Sequence, residues 1–429
     1  MKQMKDSGIE WIGQIPEEWN IWPTKRFFRH TKTLAGEQVD SYERLALTMN
    51  GVIKRSKDDS EGLQPEKFDT YQVLCENELV FKLIDLANVK TSRVGLSPYT
   101  GIVSPAYIIL TNDNEDNRFY YYYFMSMYYN EIFNNLGDNG VRSSLNAQDL
   151  LNIPMVDIPS SLQKRIADFL DEKCGKIDRY IEKQQKIIDK LKEYKQAVIT
   201  EAVTKGLDPD APMKDSGIEW IGMIPEHWSS RRLRYLGTCV NGISKGGEYF
   251  GSGYPFVSYG DVYKNMELPS SVAGLVETTE DEREWYSVKE GDVFFTRTSE
   301  TIEEVALTST CMKTIENATF AGFLIRFRPN TNLLTKEFSK YYFRSDKQRL
   351  FFVKEMNLVT RASLSQELLK RLPVLLPPID EQLTIAAHLE QKCSNIDEAI
   401  NKKYAVIEKL IKYKKSLIYE AVTGKKVVE

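Results

Sequence analysis

The sequence predicts an α+β chain built as a pseudo-two-fold internal repeat, in which two α/β modules are joined by two long helices pairing as an antiparallel coiled coil. Three observations predict it. A near-verbatim motif opens each copy, a long segment free of proline and glycine with a matching heptad pattern closes each copy, and unlike strand-rich stretches lie between.

The opening motif is MKDSGIEWIGQIPEEW from Met4 to Trp19 and MKDSGIEWIGMIPEHW from Met213 to Trp228, agreeing at 14 of 16 positions with an offset of 209. The closing segment runs SLQKRIADFLDEKCGKIDRYIEKQQ from Ser161 and DEQLTIAAHLEQKCSNIDEAINKKY from Asp380, at an offset of 219, and the EAVT of Glu201–Thr204 recurs at Glu420–Thr423. The change in offset makes the second interior ten residues longer than the first. A solenoid spreads its similarity through three or more units. Like frames around unlike interiors instead describe a scaffold carrying two different readers. The divisions that follow are a first module over 1–158, a first long helix over 159–205, a second module over 206–377 and a second long helix over 378–429.

No proline or glycine interrupts Lys176–Lys205 or Gln382–Thr423, and Lys, Glu, Gln, Leu, Ile and Ala dominate both. Pro159 and Pro377-Pro378 stand where helices start. One heptad frame fits both helices. Its a positions are Leu170, Ile177, Gln184, Leu191 and Val198, with d positions Cys174, Ile181, Ile188, Lys195 and Ala202. The second copy places Leu389, Ile396, Lys403, Leu410 and Leu417 at a, and Cys393, Ile400, Ile407, Lys414 and Ala421 at d. Polar breaks at Gln184/Lys403 and Lys195/Lys414 fix register at a cost in stability. A helix of roughly 40 residues spans about 60 Å and exposes its apolar stripe unless the two pair, which makes them a rigid spacer.

In the modules, YQVLCENELVFKLI, TGIVSPAYIIL, YPFVSYGDVY, VKEGDVFFTRTSE and AGFLIRFRP predict mainly antiparallel strands. RFYYYYFMSMYYNEIF and KEFSKYYFRSDKQRLFF predict aromatic helices that belong to the core. Basic residues recur at strand ends and turns: Lys54, Arg55, Lys82, Lys90, Arg93 and Arg142 in the first module, and Lys245, Lys264, Arg297 and Arg361 in the second, where Tyr259 joins Lys264 in SYGDVYKN. These are residue types that grip phosphates and base edges. Arg142 of VRSSL and Arg361 of TRASL share the 219 offset, which gives them one structural role.

Catalytic patterns are missing. The three histidines form no HExxH pattern, no GxxxxGK[ST] loop occurs, and LLPPI at Leu375–Ile379 lacks the polar residue of an amino-methylating tetrapeptide. The five cysteines, Cys75, Cys174, Cys239, Cys311 and Cys393, have no CxxC spacing, so neither a disulfide framework nor a zinc site is expected. No run of about 20 apolar residues crosses a bilayer, and a cytoplasmic location is expected. A net charge of −4 is not that of a basic DNA-coating protein, although a sum hides its distribution. From the residues alone, DNA readout and a two-headed protein–protein adaptor that binds no DNA both stand.

The whole arrangement resembles the DNA-specificity subunit of type I restriction–modification systems. SGIEWIGQIPEEW, SGIEWIGMIPEHW, PPIDEQLTIAAHLEQK and its weaker partner IPSSLQKRIADFLDEK carry the likeness, with EAVT, VGLSPYTGIVSPAY and GDVFFTRTSE. The resemblance implies a non-catalytic, sequence-specific DNA-binding subunit whose two target-recognition domains each read half of a bipartite, asymmetric sequence. It implies helices that set the spacing and dock two modification (methyltransferase) subunits, with restriction (motor-nuclease) subunits joining. No cofactor is expected on this chain; S-adenosylmethionine, ATP and Mg are expected on the partners. Leu162 departs from the pattern where the second copy has Glu381, which bears on the local helix cap.

Overall fold

The computed structural model describes residues 3–59, 68–84, 86, 93–136, 144–299, 305–355 and 362–428. It divides into two compact units, Met1–Gln184 with Tyr404–Glu429, and Gln185–Lys403. Each unit therefore holds one module, the first half of the long helix that follows it, and the second half of the other long helix.

The long helices run over Ser160–Lys205 and Ile379–Val422. In the first unit, Arg165 donates to the Val428 carbonyl at 2.9 Å and Lys414 pairs with Asp178 at 2.7 Å. Positions rise along one segment as they fall along the other, so the pairing is antiparallel. In the second unit Lys195 pairs with Asp397 at 2.6 Å, while Gly206 lies against Glu381. The two ion pairs are one contact written twice, since Lys195 and Lys414, and Asp178 and Asp397, are each 219 apart. The lysine breaks in the heptad are thus cross-helix register pins. Half-exposed pairs of this kind contribute about 0–1 kcal/mol each, so they select alignment more than they stabilise. Apolar frame positions supply the burial: Leu170, Ile177 and Ile188 in one helix and Leu389, Ile396 and Ile400 in the other are buried, with Ile181, Leu191, Ile407 and Leu410 half-buried. Gln184 is buried with its Oε1 unpartnered.

The modules share a topology that their sequences conceal. Each opens on a hairpin, Met4–Asp6 with Gln14–Pro16 and Met213–Asp215 with Met223–Pro225. Each closes by pairing an early strand with a late one, Asn20–Pro23 with Pro154–Asp157 and Ser229–Arg232 with Pro373–Leu376. An antiparallel four-stranded sheet follows in both, ordered Arg29–His30, Ile108–Thr111, Leu79–Phe81, Val94–Leu96 in the first and Gly237–Asn241, Leu324–Pro329, Val293–Thr296, Thr308–Thr310 in the second. A second sheet carries the parallel pairing, Arg44–Thr48 with Gly101–Val103 and Phe250–Val257 with Thr319–Phe320. The aromatic helices Arg118–Tyr129 and Lys336–Tyr342 are core: Phe119, Tyr123 and Phe124, and Phe338, Tyr342 and Phe343, are all buried.

Two contacts fasten each module to the start of its long helix, and a third ties its aromatic helix to the strand just before the long helix. Gln163 donates to the Ile158 carbonyl and the Tyr120 hydroxyl, and Gln382 to the Pro377 and Leu333 carbonyls, at 2.8–3.1 Å. Tyr122 donates to Asp171 at 2.6 Å and Tyr341 to Glu390 at 2.7 Å, each bond about two turns farther along its helix. Tyr123 and Tyr342 donate to the carbonyls of Pro154 and Pro373, at 3.0 and 3.1 Å.

The copies diverge at Leu162/Glu381. Glu381 is not confined to a capping role: its Oε2 accepts from the buried Trp228 indole at 3.1 Å and lies 2.7 Å from His227 Nε2. In the first copy Leu162 replaces the acid, Glu18 replaces the histidine, and the buried Trp19 Nε1 has no partner. The first copy therefore already bears an unpaired indole. Glu381→Leu should impose the same defect on the second, at a cost of about 1–3 kcal/mol for the orphaned donor. Denaturant unfolding of the full chain checks this, and an unchanged midpoint would show that the indole bond is dispensable.

Candidate nucleic-acid interface

The basic residues singled out in the sequence separate into distinct groups. Lys90, Arg142 and Arg361 lie outside the described residues. Arg93 is corrected: it is 2 % exposed, and its guanidinium donates to the Ile84 and Leu86 carbonyls at 3.2 and 2.8 Å, so it ties a chain segment together inside the module. A buried guanidinium is tolerated where carbonyls accept its protons.

Lys54 and Arg55 sit on the edge strand Gly51–Arg55 of the second sheet. Lys54 pairs with Glu43 at 2.5 Å beneath the Tyr99 ring, and Arg55 pairs with Asp59 at 2.6 Å. Glu43 holds the Lys54 ammonium above its ordinary pKa. Tyr42, Glu43, Arg44 and residues Lys54 to Lys57 line an open groove at this edge. Lys82 is half-buried at the end of the strand Leu79–Phe81.

In the second module Lys245 pairs with Glu282 at 2.8 Å and lies 5.1 Å from the centre of the Tyr249 ring. Tyr259 and Lys264 are the first and last residues of one short helix, Tyr259–Lys264. Tyr259 is half-buried and stacks on Tyr263, whereas Lys264 is exposed. Arg297 is half-buried and reaches the Gly322 carbonyl at 3.5 Å.

What the structure brings together is a junction repeated in both modules. The Leu145 amide donates to the Leu83 carbonyl at 3.0 Å, and the Leu364 amide to the Arg297 carbonyl at 2.7 Å. Leu145 and Leu364 are 219 apart and each follows its VRSSL or TRASL arginine by three residues. Thr298 and Ser299 also pair with Ser363 and Ala362. The segment bearing Lys82 and the one that starts at Ser144, and the segment bearing Arg297 and the one over Ala362–Leu364, therefore meet at equivalent places on equivalent frames. Strand ends and turns carry these residues, while the sheets beneath supply rigidity.

Sequence reasoning missed the structural arginines. Arg326 donates to the Ser287 and Trp285 carbonyls, and Arg344 to those of Thr308, Val262 and Asn265; burial pushes each guanidinium down to about 10. The signal available was alternation: Arg326 and Arg328 interrupt an apolar strand in LIRFRP. Burial likewise pushes Cys174 up to about 11 and Cys239 and Cys311 up to about 12, which suits inert packing thiols. Among the described residues no cluster of His, Cys, Asp or Glu could hold a metal ion, and no helix is long and apolar enough to cross a membrane.

Comparison with known proteins agrees with this architecture. The sequence family described as the type I restriction modification DNA specificity domain matches residues 225–409. The EcoKI specificity subunit of Escherichia coli strain K12 is 27 % identical over 432 residues, covering 93 % of this chain and 88 % of the relative. The MjaX specificity subunit of Methanocaldococcus jannaschii, itself described as putative, is 29 % identical over 44 % of each chain. A chain from a solved structure concerned with complex assembly and conformational transition of the type I R-M system superposes with a TM-score of 0.69, at 14 % identity, over 95 % of this chain and 98 % of that one. The repeated frame, the long helices and these likenesses converge: residues 225–409 match the type I restriction modification DNA specificity domain, and the chain as a whole is similar to type I specificity subunits.

Proposed function

We propose that each module reads one half of a bipartite, asymmetric duplex sequence through the junction of its two basic segments. In this reading the paired helices carry the spacing between half-sites and offer surfaces to two modification subunits, and restriction subunits join the assembly. The observation that carries it is the recurrence of one junction, Leu83–Leu145 and Arg297–Leu364, on matched frames with different side chains around it. A common frame fixes where the duplex is met, and unlike residues let the two modules read unlike bases. The chain, as a specificity subunit, is non-catalytic. S-adenosylmethionine, ATP and Mg belong to the partners, and adenine methylation by them requires the base to leave the stack. The assembly acts in the cytoplasm.

Binding of the full chain to duplex DNA tests this. Affinity should fall steeply, by orders of magnitude, between about 50 and 200 mM salt as counterions are released. Arg361→Ala should weaken binding by roughly tenfold if it meets a base or phosphate, without disturbing assembly through the helices. Salt-independent binding would favour the adaptor reading instead, and unchanged affinity would remove Arg361 from the interface.

A further inference from the structure

We propose that Phe323 is a wedge that contacts base steps and sets part of the sequence preference of the second module. This rests on the DNA-reading function above. Phe323 forms the tip of the turn between the strands Thr319–Phe320 and Leu324–Pro329 and is 64 % exposed. The turn is rigid. The Leu324 amide donates to the Ala321 carbonyl at 2.9 Å, Gly322 to Ile243 at 2.8 Å, and Arg297 to the Phe323 carbonyl itself at 2.9 Å. A Cβ on Gly322 would come within 2.3 Å of the Ser244 hydroxyl and 3.2 Å of the Ile243 carbonyl, so the turn seats closely against the 241–247 loop.

A large ring is thereby held out in water at the point where the Arg297 segment, the Lys245 loop and the segment following Arg361 converge. Arg297 reaches the adjoining Gly322 carbonyl, and the strand that continues from Arg297 pairs with Ala362–Ser363. Apolar side chains beside cations are the means by which proteins enter a base step or cover a thymine methyl while phosphates are held.

The first module supplies the internal comparison. Phe295 faces Ile325 in one sheet as Phe81 faces Ile108 in the other. Counting two residues back places Phe323 and Ala106 at the same exposed turn position. The frame is shared and the tip residue is not, which is the pattern of a position that varies with the sequence to be read.

Selection of random-sequence duplexes by the full chain tests the assignment, comparing wild type with Phe323→Ala, which installs the first module's residue. Wild type should enrich a two-part motif. The variant should keep one part intact and lose preference at one or two adjacent positions of the other, with binding to the best wild-type duplex reduced about fivefold or more. Its thermal midpoint and its binding to unselected duplex should match wild type, because the side chain supports nothing in the fold. An identical motif, changes in both halves, or a lowered midpoint would each overturn the wedge. If wild type enriches no sequence, the DNA-reading function fails first, and that outcome is distinct from all of these.

Discussion

Replacing Asp292 by alanine should cost about 3 kcal/mol or more of the second unit's stability, from the 3–5 kcal/mol range for breaking a buried pair from one side. Asp292 has a fully buried side chain, accepts from the Lys289 amide at 2.7 Å, and receives two bonds from Arg328 at 2.7 Å each. Arg326, on the same strand two residues away, adds a second guanidinium whose Nε has no partner. Removing the acid leaves both cations against carbonyls and the Ser287 hydroxyl, without Asp292 as counter-charge. Arg328 keeps 26 % of its side chain exposed and can recruit water, which places the loss at the lower end of the range. Asp292→Asn should cost less, because an amide oxygen still accepts from Lys289. Equilibrium denaturation of the two variants checks the order, and equal losses would mean that charge is irrelevant at this site. The strand held here is Val293–Thr296, which leads directly into Arg297, so the same carboxylate positions the proposed DNA contact.

The parts of this architecture that were legible in the sequence are those that repeat over many consecutive residues. The SGIEWIG hairpins, the long helices and their heptad frame each draw on a run of like side chains, and a run survives drift. Single-residue roles did not show. Tyr122–Asp171 and Tyr341–Glu390 are the same bond, as are Tyr123–Pro154 and Tyr342–Pro373, yet each needs only one hydroxyl and one acceptor. The offset also slips from 209 to 219 between the two ends of a module, so equivalent strands fall out of alignment. Lys195 and Lys414 stood out as breaks in an apolar stripe, but Asp397 and Asp178 became their partners only once the antiparallel register was known. Arg93 shows the converse failure. Charge alone suggests the surface, and nothing local reveals that two carbonyls wait for a guanidinium in the core.

The seam between the opening hairpin and the end of a long helix provides the second large effect, and the two copies of the seam should respond unequally. Gly424 follows the second helix with φ +73°, and a Cβ there would lie 2.5 Å from Pro16 Cδ and 2.8 Å from Trp19. Left-handed backbone costs a non-glycine residue about 1–2 kcal/mol, and overpacking a filled site adds about 1–3 kcal/mol. Neither Pro16 nor Trp19, both buried, can swing aside. Gly424→Ala should therefore destabilise the first unit by about 2–5 kcal/mol. Gly206 has the same left-handed backbone, φ +78°, but its Cβ would meet the Glu381 carboxylate at 3.2 Å and Trp228 at 3.4 Å. The 3.2 Å contact asks the carboxylate to give by only a few tenths of an ångström, which leaves its bond to the Trp228 indole in place, so Gly206→Ala should lose only the backbone part, about 1–2 kcal/mol. Denaturant titrations of the two single variants give the comparison directly. Losses of equal size would mean that Pro16 and Trp19 yield as readily as a glutamate side chain, and that the first hairpin is not locked onto the helix end as the geometry requires.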